Sequence, residues 1–250
     1  MKTRLGIVMA LMVLLIAALP CSAQENARQF IAAMEAYKAG DYAKAVKVLS
    51  DIASAGVHNG QLYYNLGNAC LKNNDLGQAI LWYERALRLL PNDPDLIFNY
   101  EYARSLTQDA QEQTVNPIVA ILFFWQHRLS ARTVILLSLC FNFLFFLLAA
   151  SYRLTRRRGL RHAALTTLLP TVILIFTAAY NYYDAAYHPQ AIVLPEKIAV
   201  RSGLNPESTE LFQLHAGAKV KVVRQMKDHV QVRFSQDKIG WVESGVVGRI

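Results

Sequence analysis

Three apolar stretches, residues 5–19, 134–152 and 163–180, punctuate the chain and divide its polar remainder into two blocks. Residues 134–152 and 163–180 carry no formal charge, and neither shows a polar face. A helix rises 1.5 Å per residue, so a run of this length reaches roughly 28 Å, close to the hydrocarbon core of a bilayer at about 30 Å. Pro170 interrupts the second stretch, but membrane helices tolerate proline. The pattern predicts transmembrane helices over 133–152 and 163–181. Residues 5–19 follow Lys2 and Arg4 and precede Cys21-Ser22-Ala23, the three parts of a secretory signal peptide over 1–23. Lipid attachment at Cys21, which Pro20 fits poorly, and an uncleaved anchor are the alternatives.

Between residues 24 and 112 the apolar positions recur at helical spacing, and the segment repeats itself. At an offset of 34, Ala36, Asp41, Ala45, Leu49 and Ile52 fall against Cys70, Asp75, Ala79, Tyr83 and Ala86. AYKAGDYAKAVKVL aligns with CLKNNDLGQAILWY without a gap. Small residues such as Gly67 and Ala79 let paired helices approach, while larger ones fill the groove between pairs. Gly40-Asp41 and Asn73-Asn74-Asp75 supply turns, and Asp41 and Asp75 are expected to cap the second helix of each unit. The units span about 26–59 and 60–93, and Pro91 and Pro94 precede a capping helix over 95–111.

After Tyr187 the period becomes alternating. Residues 191–194, 197–201, 219–225, 230–234 and 240–242 read as strands separated by turn-forming stretches. About five strands within 190–250 predict a small closed barrel, where closure removes exposed edges. Between helices and hairpin, Ile118 to Trp125 is too short to span, so 116–131 is expected to lie at the interface or to extend the first membrane helix.

The net charge of +8 is local rather than general. Arg153, Arg156, Arg157, Arg158 and Arg161 crowd residues 153–162, whereas residues 24–117 carry a net −3 and 182–250 a net +2. A nucleic-acid partner needs a basic face on a folded domain, and neither block supplies one, so no nucleic acid is expected. The positive-inside rule assigns the arginine-rich loop 153–162 to the cytoplasm and both soluble domains to the far side. Tyr180, Tyr182, Tyr183 and Tyr187 fit an interfacial aromatic belt. Cys70 is expected to be a buried hydrophobe without a disulfide partner.

Residues 60–93, with Leu66, Gly67, Ala79, Tyr83, Ala86 and Pro91, resemble the tetratricopeptide repeat. The resemblance implies a solenoid whose concave face binds a peptide, or else packs on a partner subunit or the membrane helices. AVRSG (199–203), LFQLHAG (211–217), VKVV and IGWV (239–242) resemble the bacterial SH3-like domain. Ala199 and His229 depart from that family, which weakens any carry-over of a peptidoglycan- or peptide-binding groove. Trp241 is expected in its core, with a ligand platform as the alternative. The order of signal segment, repeats, hairpin and terminal barrel resembles the BatE family of the bacterial Bat aerotolerance operon. That resemblance implies an inner-membrane protein acting beside von Willebrand factor A-domain proteins, with a loose link to oxidative stress. The expected fold class is thus a multi-domain membrane protein: an all-α tetratricopeptide solenoid, a two-helix transmembrane hairpin and a small all-β SH3-like barrel.

Candidate chemistry is sparse. His58, His127, His162, His188, His215 and His229 lie in separate segments without metal-ligand spacing, although His215 and His229 could meet within the barrel. No phosphate-binding glycine loop or nucleophile motif is present, and Ser202 has no local base. Catalytic, cofactor and metal residues are therefore expected to be none, and a scaffold or adaptor is expected in place of an enzyme. The alternative is an envelope-binding or sensing module.

Overall fold

The computed structural model describes residues 24–109, 125, 128–187 and 189–250. The expected signal segment and most of 116–131 lie outside the described residues. Helices α1 (24–38), α2 (Tyr42–Ser54), α3 (Gly60–Lys72), α4 (Leu76–Leu89) and α5 (Pro94–Ser105) form the repeat unit. Asp41 accepts from the Lys44 N–H and Asp75 from the Gln78 N–H, so both aspartates cap as their spacing predicts. The preceding turns are equivalent too. Gly40 at φ 82° and Asn74 at φ 61° stand 34 residues apart in the left-handed region, which glycine and asparagine reach at least cost. A Cβ on Gly67 would stand 2.6 Å from the Tyr83 ring, so α3 and α4 meet through that missing side chain. Leu49, Leu66, Ile80, Tyr83 and Leu96 are buried in the resulting core.

The capping helix ends at Ser105 rather than at residue 111. Its last carbonyls are taken by neighbouring hydroxyls: Ser105 Oγ donates to the Tyr102 carbonyl and Thr107 Oγ1 to that of Arg104. The chain then turns toward the sheet, where Asp109 accepts from the His215 N–H at 2.6 Å.

Helices α6 (Ala131–Thr155) and α7 (Arg158–Tyr187) pack against each other and are long and apolar enough to cross a membrane. Both outrun their expected bounds, because polar residues at the ends of an apolar run still favour helix. The loop expected at 153–162 is corrected to two residues, Arg156 and Arg157. Arg156 sits at φ 52° and donates its N–H to the Tyr152 carbonyl, a left-handed helix stop.

The C-terminal domain is antiparallel: β1 (Gln190–Val193), β2 (Lys197–Arg201), β3 (Glu210–His215), β4 (Lys219–Met226), β5 (His229–Arg233), β6 (Ile239–Glu243) and β7 (Val247–Arg249). Seven strands replace the expected five. Strand β3 escapes the alternation because only Leu214 is buried, and β7 because it is three residues long around Gly248. The order β3-β2-β6-β5-β4-β1-β7 has two ends, so the pairing is not the closed ring that was expected. All the same, Val193, Val200, Leu214, Val220, Val232, Val242 and Val247 share one core. Seven flat strands at about 4.8 Å spacing could not do so. The sheet curls.

The sheet domain docks on α4. Ile192 of β1 is fully buried in the helical core, not the sheet's own. A Cβ on Gly77 would meet the Leu194 carbonyl oxygen at 2.3 Å, one on Gly217 would meet Ile80 at 2.5 Å, and one on Gly248 would meet Leu81 at 2.4 Å. Residues 34 earlier explain what the docking changes. Ala43 and Lys47 on α2 are exposed, whereas their counterparts Gly77 and Leu81 on α4 are buried. Arg85 stacks 4.4 Å over Trp82 and donates to the Arg249 carbonyl at 2.7 Å, covering the free edge of β7.

Gly77→Ala separates two opposing effects. Alanine favours a helix over glycine by up to about 1 kcal/mol, but its Cβ would press on backbone, where overpacking costs about 1–3 kcal/mol. The clash outweighs the gain. Chemical denaturation of the full chain should show lower stability for Gly77→Ala and no such loss for Gly159→Ala, whose Cβ meets nothing within 4 Å.

Candidate interaction surfaces

Alternate helices α1, α3 and α5 present one shared face. Asn99 of α5 donates to Tyr64 OH at 3.0 Å and to Asn68 Oδ1 at 2.9 Å on α3, and Tyr83 OH donates to the same Asn68 oxygen at 2.7 Å. Tyr37 of α1 reaches the cluster: burial raises its hydroxyl pKa first, and Tyr42 and Tyr64 add to the rise. On this frame Phe30, Tyr64 and Phe98 stand 34 residues apart on successive units. The first two are half-buried against the core, while Phe98 is 73% and Tyr102 54% exposed. Exposed aromatic side chains beside a hydrogen-bonded amide cluster offer apolar area together with polar groups for a peptide.

At the junction, a cavity of about 320 Å³ is lined by Glu84, Tyr100, Glu101, Arg104, Asp109 and Lys219 among others. Glu84 is buried and accepts from Tyr100 OH at 2.5 Å and from Lys219 Nζ at 2.8 Å. A buried carboxylate requires such partners. Burial raises the Tyr100 hydroxyl pKa, and the Glu84 charge raises it further. His215 Nδ1 lies 3.2 Å from Asp109.

A groove of about 310 Å³ in the sheet domain is lined by Arg201, Asn205, Pro206, His229, Trp241 and Glu243 among others. Trp241 is therefore not the core residue it was expected to be. In IGWV the inward positions are Gly240 and Val242, which turns Trp241 outward beside the groove. Glycine is required at 240 because a Cβ there would stand 2.7 Å from the Arg201 carbonyl.

The described histidines have separate surroundings. His58 Nδ1 lies 2.8 Å from Tyr63 OH, His215 faces Asp109 and His229 lines the groove, while His127 and His188 lie outside the described residues. Among the described residues no three His, Cys, Asp or Glu side chains gather to hold a metal ion. Cys70 is buried and free, as its pattern predicted. The aromatic face and the docked junction escaped sequence reading, although the offset that aligns the repeats also aligns Phe30, Tyr64 and Phe98, and sets Leu81 against Lys47.

A family model described as tetratricopeptide repeat matches residues 32–94. The chain contains tetratricopeptide repeats. They suggest a protein–protein interaction scaffold, of a kind that is typically non-enzymatic. No curated protein matches the chain.

The buried groups of the repeats give them a pH signature. Burial, with Asp75 adding, pushes the Cys70 thiol from 9.0 up to about 12, and burial likewise raises the Tyr83 hydroxyl. The unfolded chain releases these protons first, so the thiol's contribution is complete below its ordinary value and fades as pH rises toward 12. Urea unfolding above pH 9.0 should show stability falling on the order of 1 kcal/mol per pH unit for the thiol. Cys70→Ala should flatten that slope.

Proposed function

We propose that the protein is an inner-membrane scaffold or adaptor whose repeats and sheet domain lie together in the periplasm and hold partner proteins in a membrane assembly. The exposed Phe98 and Tyr102 of α5, beside the amide cluster that α5 shares with α3, carry this reading, since aromatic anchors dominate the energetics of protein interfaces. Two features support a shared compartment. The Glu84–Lys219 pair joins the domains across 135 residues of chain. Asn92 donates to the Arg128 carbonyl beside the start of α6, so the repeats sit at the end of the hairpin from which the sheet domain also departs. The arginine excess at the opposite tip favours a cytoplasmic position there. From the order of modules we infer partners among von Willebrand factor A-domain membrane proteins and a link to oxidative stress or aerotolerance. The sheet domain is read as SH3-like.

The groove beside Trp241 favours a second reading, in which the sheet domain contacts peptidoglycan or a peptide as an envelope-binding or sensing module. One experiment separates the two. The full chain is purified from native membranes and also tested for retention on purified peptidoglycan. The scaffold reading predicts stoichiometric membrane companions that fall by more than tenfold in Phe98→Ala/Tyr102→Ala, as expected when anchors of about 2 kcal/mol each are removed. Peptidoglycan retention abolished by Trp241→Ala, with no companions at all, would favour the second reading.

A further inference from the structure

We propose that the tip of the hairpin is a docking surface for anionic phospholipid headgroups, an inference that rests on α6 and α7 crossing a bilayer. Residues 153–162 carry five arginines and His162, all exposed. Arg156 and Arg157 form the turn between the helices, Arg153 stands in the last turn of α6, and Arg158, Arg161 and His162 stand in the first turns of α7. The left-handed stop at Arg156 fixes that turn.

Among the described residues these charges find no counter-ion. No acidic residue occurs between Glu112 and Asp184, and among the described residues no ion pair involves the five arginines. Their depth selects the partner. Arg153 directly follows the apolar run that ends at Tyr152, and Arg161 stands two residues before the run that begins at Ala163. At 1.5 Å per helical residue every guanidinium-bearing backbone position lies within about 8 Å of the apolar edge. The polar layer on each side of a bilayer is roughly 6 Å thick. The arginines therefore start within the headgroup layer or at its outer boundary, where their long side chains turn back to lipid phosphates more readily than they reach a nucleic acid or acidic protein. Guanidinium forks bind phosphate oxygens two at a time. Leu154, 86% exposed among the arginines, gives the tip an apolar contact with the acyl boundary.

Native mass spectrometry of the full chain, released from bilayers of equal phosphatidylcholine and phosphatidylglycerol, tests this. Wild type should retain phosphatidylglycerol at least tenfold over phosphatidylcholine, the preference falling with added salt. Each lost charge should lower that preference by about fivefold, so Arg156→Gln/Arg157→Gln/Arg158→Gln should abolish it. Arg156→Lys/Arg157→Lys/Arg158→Lys, which keeps the charge that holds the tip in place, should retain an intermediate preference. Equal retention of both lipids by inserted wild type, or an unchanged preference in the glutamine variant, would overturn the inference. So would binding of nucleic acid or an acidic peptide by inserted protein that shows no lipid preference. Wild type that never enters a bilayer would overturn the spanning reading as well.

Discussion

The contact between α4 and the edge of the sheet domain constrains everything else in the molecule. Gly77, Gly217 and Gly248 each leave space that a neighbour fills, and at Gly77 the neighbour is backbone, which cannot rearrange cheaply. Ile192 belongs to the helical core although it sits on a strand. The repeats precede the hairpin and the sheet follows it, so the chain must travel out along α6 and return along α7 before this contact can form. The sheet covers the outer face of α4 beside the capping helix α5, and the buried Glu84, held by Tyr100 and Lys219, ties both sides of the junction into one polar network.

Much of the local structure was legible in the sequence, and most of the tertiary structure was not. Asp41 and Asp75 cap helices because a carboxylate just ahead of a helix has one favoured local use. Gly67 faces the Tyr83 ring, which fits its expected role of letting paired helices approach. The apolar runs 134–152 and 163–180 could only be helices, but their ends were obscured because arginine both favours helix and marks a membrane boundary. Strands β3 and β7 lacked alternation, since one is mostly exposed and the other is built around Gly248. Trp241 was misplaced by the general tendency of tryptophan to be buried, whereas its strand register turns Gly240 and Val242 inward. Docking was hidden for a different reason: burial of Leu81 on α4 depends on a domain more than a hundred residues away, which no local period reports.

The docked arrangement leaves three surfaces with separate physical characters. The aromatic face of the repeats suits protein partners, the groove beside Trp241 lies on the sheet, and the arginine tip stands at the far end of the hairpin. Because helices and sheet are packed rather than tethered, a partner on the repeats is held in a fixed position relative to the sheet groove. That is what an adaptor requires, and it follows from a few side chains of zero size at the junction.

The measurement that tests this most directly is the distance between spin labels placed at the exposed Lys47 of α2 and Lys221 of β4, in full-length chain with its native cysteines replaced. A single narrow distance distribution, unchanged between detergent and bilayer, is predicted for helices and sheet packed as one body. A broad or multi-peaked distribution would show two tethered domains and contradict the account.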